Sequence, residues 1–98
     1  MYVSWEKAVA NAILARPDMA HLTLEYFAML RDEAGCAREE IETAALSLDA
    51  LYEELKTRHN FTLPASRLRV AVNAAFARWD HSPTDGDHVV FIPPVSGG

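Results

Sequence analysis

The stretch His88-Val89-Val90-Phe91-Ile92, cut off by Pro93-Pro94, constrains the fold more than any other part of this 98-residue chain. A short apolar block with no alternating polar partner reads as a strand covered on both faces, which places it near the middle of a sheet. Two prolines, lacking an N–H to donate, end the ladder there. A sheet built around the last strand needs its other strands upstream. His21 to Met29 alternates, with Leu22, Leu24, Tyr26 and Ala28 on one side and Thr23, Glu25, Phe27 and Met29 on the other. Glu39 to Thr43 reads as a second strand with an acidic exposed side, and Leu68, Val70 and Val72 alternate with Arg69, Ala71 and Asn73 as a third. A short piece around Phe76 follows. Thr84-Asp85-Gly86-Asp87 is a turn that leads into the last strand.

The connections are equally local. Leu30 to Ala34 forms a short helical turn stopped by Gly35, so the first two strands make a hairpin. Ser47 caps a helix whose core face is Leu48, Leu51, Tyr52 and Leu55, with Asn60 as its C-terminal stop. Strand, strand, helix, strand, short strand, strand within about 75 residues predicts an α+β fold of the β-grasp (ubiquitin-like) type, a mixed sheet wrapped over one main helix. One domain is expected at this length, burying roughly 65% of the unfolded chain's surface. Residues 1–20 read as a separate N-terminal extension and 21–98 as the domain proper. In the extension Ser4 caps a short amphipathic helix with Trp5, Val9, Ala12 and Ile13 on one face, ended by Pro17-Asp18. Such an element either packs on its own domain or a neighbouring chain, or binds a partner.

Charge narrows the function. Nine Lys+Arg stand against fourteen Asp+Glu, a net charge of −5, and all of it falls on residues 21–98 because Glu6 and Asp18 balance Lys7 and Arg16. That excludes the basic footprint of a nucleic-acid binder. No apolar run reaches the length of a bilayer span and no leader pattern opens the chain, so no membrane partner and a cytoplasmic location are expected. One cysteine, Cys36, reads as an ordinary thiol. Asp80, His81, Asp85, Asp87 and His88 fit no calcium-loop spacing and read as a polar turn, so no metal site is expected. His21 and His59 read as isolated surface or element-end histidines, and Glu39, Glu40 and Glu42 as a solvated face. Phe27 is an oddity, an aromatic on an otherwise polar strand face, and marks a candidate contact surface.

The chain closes with Pro93-Pro94-Val95-Ser96-Gly97-Gly98. Six extended residues reach about 20 Å, and two terminal glycines give a thin arm able to enter a narrow tunnel. The chemistry is then at Gly98, whose carboxylate is inert to nucleophiles until activated, usually as an acyl-adenylate. Taken with Val70-Ala71-Val72-Asn73, Asp80-His81, Thr84-Asp85-Gly86-Asp87 and Leu24-Glu25-Tyr26-Phe27-Ala28, this ending closely resembles the MoaD family, the small subunits of molybdopterin synthase. The likeness covers residues 21–98, and the leading twenty residues depart from it. The resemblance implies a sulfur carrier that holds no cofactor itself. Its Gly98 would be adenylated with ATP by a ubiquitin-activating-type enzyme and converted to a thiocarboxylate by a sulfur donor protein. The tail, Pro93 to Gly98, would enter the large subunit of a heterotetramer, pass sulfur to precursor Z for dithiolene formation, and leave general acid–base catalysis to that subunit. It also implies that Phe27, Phe76 and Ile92 contact partners, although Ile92 equally suits the core. A ubiquitin-like modifier that conjugates to lysines, or a carrier for another pathway such as tRNA thiolation, needs the same activation and stays open on the residues alone.

Overall fold

A computed structural model describes residues 19–94, leaving the expected N-terminal helix with Trp5, Val9, Ala12 and Ile13, and tail residues 95–98, outside the described residues. Alternation builds β1 (Ala20–Tyr26), which buries Ala20, Leu22, Leu24 and Tyr26. A single turn of helix, α1 (Met29–Ala34), ends at Gly35 in the left-handed conformation and returns the chain as β2 (Arg38–Thr43). Helix α2 (Leu48–His59) carries the expected caps. The Ser47 hydroxyl accepts from the Ala50 N–H at 3.1 Å, and Asn60 adopts φ 59°. Two more of the free amides at its start, those of Leu48 and Asp49, donate to the carbonyls of His81 and Trp79. A 3-10 turn (Ala65–Arg67) precedes β3 (Arg69–Val72), which leads through a two-residue turn to β4 (Ala75–Phe76), and β5 (His88–Ile92) closes the sheet.

The strand order is β2-β1-β5-β3-β4. β5 runs parallel to β1 and antiparallel to β3, so the last strand lies at the centre as expected. One sheet face packs on Leu48, Leu51, Tyr52 and Leu55 of α2 through Leu22, Leu24, Val70, Val89 and Phe91. Burying these large side chains contributes about 1.5–3 kcal/mol each. Tyr52, fully buried, stacks on Phe61, meets Trp79 and Phe91, and donates its hydroxyl to the Leu63 carbonyl at 2.6 Å. Buried Thr43 donates to Glu54, tying β2 to α2. Among the described residues, no helix is long and apolar enough to cross a membrane.

Three expectations need correction. β1 stops at Tyr26 rather than Met29, because Ala28 adopts φ 53° and ψ −126°, outside any strand geometry, and Ala28 is exposed. Phe27 therefore lies just past the strand's end rather than on its face, and Met29 opens α1. β3 is shorter than Leu68–Asn73: Leu68 follows the 3-10 turn, Asn73 sits in the β3–β4 turn, and Ala71, on the alternate side, is buried as well. Among the described residues β5 is not covered on both faces. Val89 and Phe91 are buried and His88, Val90 and Ile92 half-buried, since the described residues place a helix on one face only.

Candidate functional site

The candidate site is the end of the sheet where β5 runs into Pro93-Pro94. In the parallel register Tyr26 pairs with Phe91, so Phe27 comes one step beyond, level with Ile92. On the other flank Arg69 pairs with Ile92, and Ala71 with both Val90 and Phe76. The three residues expected to contact partners thus lie on three strands of the sheet, on β1's continuation, on β5 and on edge strand β4, with β3 between the last two. Phe27 is 43% exposed and Phe76 66%, with Met29 beside the first at 40%. Ile92 is half-buried on the face away from α2, which removes it from the core proper. Pro93 is buried and Pro94, the last described residue, is exposed. Val95, Ser96, Gly97 and Gly98 lie outside the described residues.

Two arginines flank this end of the sheet. Arg67 and Arg69 line a groove of about 390 Å³ with Ser66, Leu68, Ile92, Pro93 and Pro94. The Arg69 guanidinium also lies 5.1 Å from the centre of the Phe76 ring, a cation–π contact. Phe76 separates two further concavities, one lined by Leu68, Val70 and Trp79 and the other by Val72, Arg78 and His81 among others. It stands as a ridge. Sequence reasoning missed both arginines. Their signal, one cation just before the third strand and one at its first position, acquires meaning only once β3 is known to lie beside β5.

The remaining candidates resolve into structural roles. The Asp85 carboxylate accepts from the His21 N–H at 2.8 Å, and Asp87, buried, accepts from the Asn73 amide and the Thr84 N–H. Asp80 pairs with Arg78, and the His88 ring with Glu25 at 2.9 Å. Among the described residues no three His, Cys, Asp or Glu side chains converge on a common point. Cys36 is half-buried against the core. The two histidines read as isolated are not: His21 meets Glu40 at 2.8 Å, and His59 meets Glu39 at 2.7 Å. Glu39 departs from the solvated face because its register partner is Leu24, a core position. There it also accepts from the Tyr26 hydroxyl at 2.5 Å. Burial pushes Glu39 up, but the hydrogen bonds from Tyr26 and His59 outweigh it and hold the carboxyl below its ordinary range. Burial first, then the bond to Glu39, pushes Tyr26 far up. This cluster ties β1, β2 and the end of α2 together on the α2 side of the sheet, away from Phe76 and Ile92.

Comparison with known proteins places the chain. The ThiS family model matches residues 24–98, including the whole tail. The molybdopterin synthase sulfur carrier subunit of Escherichia coli K12 is 33% identical over 76 residues, covering 74% of this chain and 94% of that one. A putative molybdopterin converting factor subunit 1 from Pyrococcus furiosus superposes with a TM-score of 0.65 at 32% identity, covering 78% of this chain and 99% of that one. A chain in the protein–protein complex of subunits 1 and 2 of the molybdopterin-converting factor from Helicobacter pylori 26695 shares the fold, with a TM-score of 0.55 at 20% identity over 80% and 99% of the two chains.

Proposed function

The chain belongs to the ThiS family of small sulfur carriers, and from that membership we propose that it is the sulfur-donating subunit of a molybdopterin synthase. The match to the Escherichia coli subunit carries the reading, because it spans nearly all of that protein. The geometry supports it. A rigid central strand delivers Pro93-Pro94 to the surface beside exposed Phe27 and Phe76, so docking register is set by the sheet while the thin end adapts to a partner's tunnel.

The chemistry starts at Gly98. Its carboxylate oxygen attacks the α-phosphate of ATP in an activating enzyme, releasing pyrophosphate and leaving an acyl-adenylate. A sulfur donor then displaces AMP to give the thiocarboxylate. This sulfur is a better nucleophile than the oxygen it replaces and is exposed to wasteful hydrolysis, which insertion into a larger subunit prevents. The acceptor is a pyranopterin, and the carrier returns as the carboxylate. No side chain of this protein acts as acid or base.

Intact mass spectrometry after incubation with ATP, an activating enzyme and a sulfur donor tests the reading. The expected result is a mass gain equal to exchanging one oxygen for sulfur, localised to Gly98. An unchanged mass under conditions that load the Escherichia coli subunit would overturn it.

A further inference from the structure

The groove of about 390 Å³ beside Pro93-Pro94 carries charge of the opposite sign to the molecule around it. The chain has a net charge of −5, and the sheet face away from α2 is acidic along β1 and β2, with Glu40 and Glu42 exposed and Glu25 half-buried. The groove holds Arg67 and Arg69, and no acidic residue lines it. Among the described residues Arg31, Arg58 and Arg78 each have a carboxylate within 4.0 Å, and Arg38 stands opposite Glu25 in the β1–β2 register, whereas Arg67 and Arg69 meet none. Both are exposed. Leu68 between them is extended and buried, so the two arginines leave the backbone toward the same groove about 7 Å apart. The Phe76 ring, 5.1 Å from the Arg69 guanidinium, gives that cation an aromatic neighbour but no counter-charge.

We infer that Arg67 and Arg69 receive a pair of carboxylates on the synthase large subunit, set at the mouth of the tunnel that takes the tail. The inference rests on the function proposed above, which requires such a partner. Continuity fixes the place: Ile92, Pro93 and Pro94 line the same groove, so a partner that draws in the residues after Pro94 closes over the two arginines. Reach fixes the source of the negative charge. A tail drawn straight in puts Gly98 about 20 Å beyond Pro93, too far for either guanidinium to meet phosphates at the reacting end. Two cations on a chain of net charge −5 also make no footprint for a nucleic acid or a lipid surface. Protein carboxylates remain, and arginine suits them because its planar fork binds a carboxylate through two parallel N–H bonds. Alternate residues of one extended segment carry two carboxylates at the matching spacing of about 7 Å. The charges steer the encounter and exclude wrong partners, while Phe27, Phe76 and Ile92 supply the apolar contact beside them.

Calorimetric titration of the full chain with a purified molybdopterin synthase large subunit, at about 50 and about 500 mM NaCl, tests it. The expected result is that wild-type binding weakens with salt, that Arg67→Glu and Arg69→Glu each weaken it about tenfold or more at the lower salt, and that the double variant loses the salt dependence. Lys56→Glu makes the same change of net charge on α2, behind the sheet, and should weaken binding less than about threefold. Binding by both arginine variants equal to wild type, equal weakening by Lys56→Glu, or competition by inorganic phosphate beyond that of sodium chloride at the same ionic strength would each overturn the inference. Sulfur loading of the same samples separates it from the function. A chain that loads Gly98 and binds, yet is indifferent to Arg67→Glu and Arg69→Glu, keeps the function and loses the carboxylate pair; a wild-type chain that neither loads nor binds loses both.

Discussion

Phe76 concentrates the argument at the scale of single residues. It is the most exposed aromatic among the described residues, and the Arg69 guanidinium lies 5.1 Å from its ring centre. Exposed aromatics are the residue type enriched among interface hot spots. Phe76→Asp should change folding stability by no more than about 0.5 kcal/mol, as for other surface substitutions. It should weaken binding to a synthase large subunit tenfold or more, about 1.4 kcal/mol or above. Calorimetric titration with thermal melts of the same samples checks both; equal binding would remove Phe76 from the interface. Glu39 carries a different prediction. Its folded-state pKa lies below the ordinary value of 4.5, so its contribution is present above that value and lost as pH falls through the folded-state pKa. Glu39→Gln should lower stability by about 1–2 kcal/mol at pH 7, the scale of hydrogen bonds to a charged group. Melting both proteins at pH 7 and pH 3 should show the gap closing in acid, and a constant gap would contradict the assignment.

At the scale of elements, the turns carry the sequence's local tension. Phe27 to Leu30 closes with the Leu30 N–H donating to the Phe27 carbonyl, and Ala28 occupies the first central position at φ 53° and ψ −126°. A type II′ turn places glycine there because a Cβ is disfavoured. The β3–β4 connection repeats the theme, with Asn73 at φ 51° and Ala74 at φ 72°, both positive as a type I′ hairpin requires. Asn73 is suited to the position and is tied down further, accepting from the His88 N–H and donating to Asp87. Ala74 has no such compensation. Ala28→Gly and Ala74→Gly should each raise stability by about 1 kcal/mol, or several degrees in Tm for a domain of this size. A fall in Tm for either variant would mean that the strained conformation is not the one adopted in solution.

For the whole molecule, the proposed function puts fold and chemistry in separate parts of the chain. The buried hydrophobic core runs from Ala20 to Phe91, and the reactive atom proposed for the function is on Gly98, beyond two prolines. Deleting Gly97 and Gly98 should leave the unfolding transition unchanged and abolish sulfur loading. Loss of the transition in that truncation would show that the tail supports the fold. Under the function proposed above, the same separation would let one rigid face near Phe27, Ile92 and Phe76 serve an activating enzyme and a synthase in turn, each admitting the tail to its own chemistry.

Sequence alone determined whatever depends on neighbours a few positions apart. Ser47 and Asn60 bracket α2 because caps act within one helical turn. The 3.6 period names Leu48, Leu51, Tyr52 and Leu55, and the apolar block before Pro93-Pro94 marks the central strand. Tertiary structure decided the rest, since it depends on which distant strands lie side by side. The register of β1 with β2 turns Glu39 alone of the acidic run inward to Tyr26 and His59. The pairing of β3 with β5 brings Arg69 beside Ile92, while β4 sets Phe76 beneath it. The Asn73–Ala74 turn has no glycine to announce it, so its positive dihedrals are imposed by the strands it joins. Local periodicity encodes elements; register, acting between residues far apart in the chain, assembles the site.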